Sequence, residues 1–191
     1  HWDKSNNYVK GIEDYLPTEQ YRRPAHQNKV VEDILDNWIQ YSQNNKFHGM
    51  FATSSIAEAI EYYRLFKKLK PELKITALFD PNVDNNENAK FKEDGLVEII
   101  SDYNNSYGME FSLATHAKMK RDIADRLAHK ELYKRVEHTP EKQLDLLIVV
   151  DQMLTGFDSK WVNTLYLDKM LEYANLIQAF SRTNRLFGKD K

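Results

Sequence analysis

Apolar residues recur along this chain at two spacings, and the alternation between them sets out a series of helices and strands. Val30, Val31, Ile34, Leu35, Trp38 and Ile39 return every three to four positions and make one stripe, so residues 26–42 read as an amphipathic helix. The run Phe47-His48-Gly49-Met50-Phe51-Ala52 is short and strand-like, and ends in Thr53-Ser54-Ser55. Ser55 with Glu58 three positions later fits a capping box. Ile56, Ala59, Ile60, Tyr63 and Phe66 then line one side of a second helix that stops near Pro71. Residues 74–79 read as a strand ending at the turn signal Asp80-Pro81. Strand, helix, strand is the unit of a parallel α/β sheet.

The rhythm breaks over residues 82–111, which are Asn-rich at both ends with a helix-like middle from Phe91 to Ile100, and this segment reads as an insertion. Helical spacing returns at Met119, Ile123 and Leu127. Residues 144–150 carry the strongest strand signal of the chain, with almost no polar interruption. Such a strand is expected at the centre of a parallel sheet, buried on both faces. Residues 164–167 predict another strand, and residues 173–186 a terminal helix. Residues 1–24 are polar and punctuated by Gly11, Pro17 and Pro24, the pattern of an arm or inter-domain connection. Residues 25–191 are then one α/β domain.

Composition narrows the function classes. With 41% hydrophobic and 29% charged residues, the 191-residue chain suits a globular domain with its own core. The net charge of -2 means that any nucleic-acid contact must come from a local patch. The absence of cysteine excludes disulfide scaffolds, thiolate zinc sites and cysteine nucleophiles, and suits the cytoplasm. No apolar run approaches the ~18 residues of a membrane span. The start at His1, without an initiator Met or a signal-peptide pattern, suggests a fragment of something longer.

In parallel sheets, ligands collect beyond the carboxyl ends of the strands, and three segments are expected there. Thr53-Ser54-Ser55, at a strand end and helix start, suits a phosphate or merely caps the helix. In Asp151-Gln152-Met153-Leu154-Thr155-Gly156-Phe157-Asp158, Gly156 allows a sharp turn or close ligand approach, and Asp158 can accept hydrogen bonds; an ordinary glycine turn fits equally well. Gln178, Arg182 and Arg185, spaced four and then three apart, line one face of the terminal helix. Two arginines and a glutamine there suit phosphate oxygens, although a solvated basic face has the same spacing. The six histidines include no pair at metal-ligand spacing, and no carboxylate cluster for a metal is visible. The tyrosines are more economically assigned to the core than to base stacking. No G-x-x-x-x-G-K-S/T loop and no G-x-G-x-x-G motif occurs, so the chain lacks a phosphate loop of its own.

Taken together, the segments resemble the second RecA-like domain of superfamily two helicases, and more closely the motor part of the R subunit of type I restriction enzymes. Leu146-Leu147-Ile148-Val149-Val150-Asp151 through Leu154-Thr155-Gly156-Phe157-Asp158 is similar to helicase motif V. Asn163-Thr164-Leu165-Tyr166-Leu167-Asp168-Lys169 joins it to Gln178-Ala179-Phe180-Ser181-Arg182-Thr183-Asn184-Arg185, which is similar to motif VI. Two positions depart from the common superfamily pattern: Gln152 stands where a Ser or Thr is usual, and Ser181 where a glycine is usual. The first departure removes a hydroxyl role at position 152. The resemblance covers roughly residues 45–191.

The resemblance implies a RecA-like, P-loop NTPase-type sheet flanked by helices, and an ATP site in the cleft between two such domains. ATP and Mg2+ would be held mainly by a first RecA-like domain absent from this chain. Arg185 would act as the arginine finger with Arg182 beside it, and Gln178, Gly156 and Asp158 would contact or sense the nucleotide. Thr53, Ser54 and Thr155 would touch the DNA backbone. The implied partners are double-stranded DNA, the first RecA-like and nuclease domains of the same subunit, and the methyltransferase and specificity subunits. The implied role is ATP-driven translocation of duplex DNA before cleavage by the separate nuclease domain, and this fragment alone would be inactive. Two other readings compete: a RecA-like module kept only for docking, and a superfamily two helicase that separates strands.

Overall fold

A computed structural model of the chain describes residues 23–80, 89–150 and 159–168. Helix α1 (Pro24–Tyr41) opens with proline in its first turn, where the missing N–H costs nothing, and buries Val31, Ile34 and Trp38 along the expected stripe. It is stopped by Gln43, Asn44 and Asn45, which all adopt positive φ, and the Trp38 indole N–H donates to Asn45 Oδ1 at 2.7 Å. Strand β1 (His48–Thr53) follows, then α2 (Ile56–Leu69) and β2 (Ile75–Leu78). Helix α3 (Ala89–Tyr107), α4 (His116–Ala128), β3 (Leu146–Val150) and β4 (Val162–Asp168) complete the described elements, with short 3₁₀ turns before and after α4.

The four strands form one all-parallel sheet in the order β2-β3-β1-β4. The fold is therefore the expected α/β class, a parallel sheet flanked by helices, consistent with a RecA-like domain. β3 lies inside the sheet between β2 and β1, and Leu146 to Val149 are all fully buried. Its uninterrupted apolar run follows from that position, because neither face meets water.

Helix α3 is longer than the helix-like middle of residues 91–100. Tyr103 is buried and Tyr107 partly so, continuing the stripe of Leu96, Ile99 and Ile100 past a polar stretch that obscures the period. Gly95 lets α3 approach α2 closely: a Cβ there would lie 2.5 Å from Ile60 Cδ1. The segment that reads as an insertion thus contributes to the main core.

Two polar clusters lock the layers. Arg126 of α4 is 1% exposed, and its guanidinium donates to the Tyr103 hydroxyl at 3.1 Å, the Tyr133 hydroxyl at 2.8 Å, Asp122 Oδ2 at 3.1 Å and the Lys142 carbonyl. Tyr103 and Tyr133 each donate to Asp122 at 2.5 Å, and the Tyr107 ring lies 3.7 Å from the guanidinium. Every member of this network is satisfied by another, which is the condition for burying a charge at low cost.

The second cluster pairs His48, at the start of β1, with His129, just after α4. Their Nε2 atoms are 2.9 Å apart. His48 Nδ1 faces the Leu144 carbonyl at 2.5 Å and must carry a proton to donate to it, so His48 Nε2 accepts from His129 Nε2–H. His129 stacks on Trp161 with ring centroids 3.8 Å apart. Burial pulls His48 down to about 3, with His129 adding to the effect, and pulls His129 down to about 4, with Lys160 adding. Unfolded histidine titrates near 6.5, so below that pH the unfolded rings bind protons that the folded rings refuse. Their contribution to stability should therefore be level above pH 6.5 and fall as pH drops below it, down to about 4 for His129 and about 3 for His48, by at most about 1.4 kcal/mol per pH unit for each ring. Urea midpoints measured across this range check it. His48→Gln should flatten the decline, and an unchanged slope would contradict the assignment.

Candidate functional site

Because all four strands are parallel, their carboxyl ends share one edge of the sheet. Thr53 pairs in register with both Val150 and Asp168, so the ends of β3, β1 and β4 are level. Beyond this edge lies the turn from β1 into α2, in the usual place for ligands in such sheets.

The turn from β1 into α2 divides the work among three hydroxyl residues. Thr53 is fully buried, with its hydroxyl 3.3 Å from the Ser55 carbonyl and 3.4 Å from that of Val149. Ser55 is the N-cap of α2, and its Oγ accepts from the Glu58 N–H at 3.2 Å. Glu58 returns the interaction one residue earlier than a standard capping box, accepting from the Ser54 N–H at 3.1 Å. Ser54 is exposed, and its hydroxyl approaches the Asp168 carbonyl at 3.5 Å. The turn satisfies the Ser54 and Glu58 amides and sets a carboxylate at the helix start. Of the two expected DNA-contacting residues placed here, Ser54 is open to a ligand and Thr53 supports the turn from beneath.

Asp168 is the polar centre of this edge. Its side chain is only 9% exposed, and both oxygens are held: Oδ1 lies 2.9 Å from His26 Nε2, and Oδ2 accepts from the Tyr62 hydroxyl. His26 comes from the first turn of α1 and Tyr62 from the middle of α2. Burial first, and then the carboxylate, hold the Tyr62 phenol well above its ordinary range. A buried carboxylate persists only with such partners. Next to the cluster, α1 and β4 bound an open groove of about 490 Å³ lined by His26, Lys29, Asp33, Tyr166 and Asp168 among others. Burial raises Tyr166 to about 12. The sequence marks Asp168 only as a charge that closes an apolar strand. Its partners are 142 and 106 positions away and left no local signal.

The remaining expected site residues, Thr155, Gly156, Asp158, Gln178, Arg182 and Arg185, lie outside the described residues, as does the terminal helix. Among the described residues, no group of three or more His, Asp or Glu is arranged to hold a metal ion. No described helix is long and apolar enough to cross a membrane.

A family model described as type I restriction enzyme subunit R domain 3 matches residues 45–191. The chain is 38% identical over 170 residues to the type I restriction enzyme SauCOLORF180P endonuclease subunit of Staphylococcus aureus, covering 85% of this chain and 17% of that protein. It is 38% identical over 164 residues to the HindI endonuclease subunit of Haemophilus influenzae, covering 84% of this chain and 13% of that protein. A putative type I subunit of Methanocaldococcus jannaschii is 28% identical over 180 residues, which is 94% of this chain and 14% of the relative. The chain thus spans about a sixth of the Staphylococcus aureus relative's length. On this evidence the chain belongs to the domain 3 family of type I restriction enzyme R subunits.

Proposed function

We propose that this domain is the second RecA-like half of an ATP-dependent DNA translocase within a type I restriction enzyme R subunit, acting in the cytoplasm. The observation that carries the reading is the order of segments along the chain within the family match. In the sequence, Thr155, Gly156 and Asp158 come after β3 and Gln178, Arg182 and Arg185 after β4, within a family match that spans both. β3 and β4 end level at the carboxyl edge of the sheet, where α/β proteins place their ligands.

In this reading, ATP with Mg2+, bound mainly by a preceding RecA-like domain, supplies the phosphoryl transfer that drives the motor. The chain's own residues complete the cleft. Arg185 and Arg182 donate hydrogen bonds to the charge that develops during transfer, and Gln178 senses the nucleotide. Gly156 and Asp158 link the nucleotide to the DNA track. Ser54 and Thr155, with Thr53 holding the turn, touch backbone phosphates, so binding would vary with salt more than with sequence. The wider assembly comprises duplex DNA, a nuclease domain in the same subunit, and methyltransferase and specificity subunits. The fragment alone would not turn over ATP.

Translocation on duplex and strand separation differ in outcome. The assembled enzyme should displace a triplex-forming strand from duplex DNA in an ATP-dependent way while leaving the duplex paired. Strand displacement without triplex displacement would replace this reading with a strand-separating helicase. Neither activity, with no ATP hydrolysis, would leave a docking module.

A further inference from the structure

We propose that the turn carrying Leu132, at the amino edge of the sheet, is a docking knob for a protein surface that offers an apolar pocket rimmed by carboxylates. This edge lies opposite the one where the strands end, so the knob's role does not rest on the motor reading.

The chain passes from α4 to β3 through residues 129–145, a long connection built from three 3₁₀ turns. Long connections are uncommon in compact domains, and those that occur are usually functional or disordered. This one is anchored from beneath. Tyr133 and Val136 are buried, and the Tyr133 hydroxyl donates to Asp122 Oδ1 at 2.5 Å while accepting from Arg126 Nη2 at 2.8 Å. The Lys130 N–H donates to the Asp125 carbonyl at 2.9 Å, and the Tyr133 N–H to the Lys130 carbonyl at 2.8 Å. Further along, Gln143 Nε2 donates to the Asn45 carbonyl, three residues before β1 begins.

Outside these anchors stands Leu132, 87% exposed, whereas the other exposed large hydrophobic side chains among the described residues are 42–54% exposed. A leucine on the surface is by itself ordinary. The backbone and the charges around this one set it apart. Glu131, directly before it, has a φ of 48°, in the left-handed region that non-glycine residues seldom adopt. Such a conformation persists where its surroundings fix it, and here it leaves Tyr133 inside and Leu132 outside. Lys130, Lys134 and Arg135 are all exposed, and none of the three forms an ion pair among the described residues. Of the two nearby carboxylates, Glu131 is exposed between them, and Glu137 faces His129 at 3.5 Å and His138 at 3.9 Å.

A phosphate backbone would meet the cations and leave the leucine in water. An apolar pocket with carboxylates at its rim meets both: the leucine is the anchor, and the cations fix its approach. The segment covers only 17% of the SauCOLORF180P relative, so the assembled enzyme is where such a pocket is sought.

Leu132→Cys supplies the test, because the chain has no cysteine of its own. In the assembled enzyme, maleimide modification at position 132, read by mass spectrometry, should be about 10-fold slower or more than in urea-unfolded protein, since only the undocked fraction reacts. Adding Lys134→Glu and Arg135→Glu should speed it again. The sign is diagnostic: on an open surface, exchanging cations for carboxylates lowers the thiolate fraction and slows the reaction. These are exposed positions, and an unchanged urea midpoint checks that the variants fold. Labelling of Leu132→Cys as fast as in the unfolded protein overturns the knob. Slow labelling that charge reversal slows further overturns the carboxylate rim, and protection that appears only with duplex DNA replaces the protein partner with nucleic acid.

Discussion

Replacing Arg185 by alanine in the full-length R subunit should reduce DNA-stimulated ATP hydrolysis by about 10³–10⁵-fold, the range typical of a residue that stabilises the transferring phosphoryl group. The effect should fall on kcat. An arginine that meets charge only as it develops contributes to the transition state more than to nucleotide binding, so ATP affinity should change little. Arg185→Lys should recover little, because an ammonium on a flexible stem does not reproduce the planar fork of donors. Circular dichroism of the variant should match the parent protein, since the residue's proposed work is in the cleft and not in the core. Turnover within a few-fold of normal would remove Arg185 from the mechanism and shift weight to the docking reading. An intermediate loss, matched by Arg182→Ala, would instead divide the role between the two arginines.

The second large effect concerns stability. Arg126→Ala should cost about 3–5 kcal/mol, the range for removing one partner of a buried pair, because it leaves the Asp122 carboxylate and the two tyrosine hydroxyls without their central donor. Urea unfolding reads this as a lower midpoint with an unchanged slope. Arg126→Lys should restore only part of it, since one ammonium cannot serve Tyr103, Tyr133, Asp122 and the Lys142 carbonyl together. Arg126→Met with Asp122→Asn should be less destabilising than the sum of the two single changes, as expected of groups in one network. A cost below about 1 kcal/mol for Arg126→Ala would mean that the network is incidental to folding.

These two arginines show opposite sides of legibility. Arg185 becomes a candidate only through the order of motifs around it, because its spacing alone fits a solvated basic face, and it lies outside the described residues. Arg126 reads as one more cation on a polar helix. Its burial could not be foreseen, because its tyrosines come from α3 and from the 3₁₀ turn Glu131–Tyr133. The histidines behave alike. His48 and His129 are 81 positions apart, and only the meeting of the β1 start with the α4 end brings their rings into contact. A scan for close spacing along the chain misses such a pair. Asp168 is an intermediate case. Its place at a strand end was visible as a pattern, whereas its clamp by His26 and Tyr62 was not.

By itself, the sequence determined the α/β class, the positions of all four strands and the first two helices, and the family resemblance. These rest on local periodicity and short motifs, in which neighbours along the chain report the same physical environment. Only the tertiary structure decided the strand order β2-β3-β1-β4, the contribution of α3 to the core, and the assignment of Thr53 to support and Ser54 to the surface. It also decided which polar side chains are buried and who satisfies them. Those outcomes depend on contacts between residues far apart in the chain, and the need to pair every buried polar group is met across elements rather than along them.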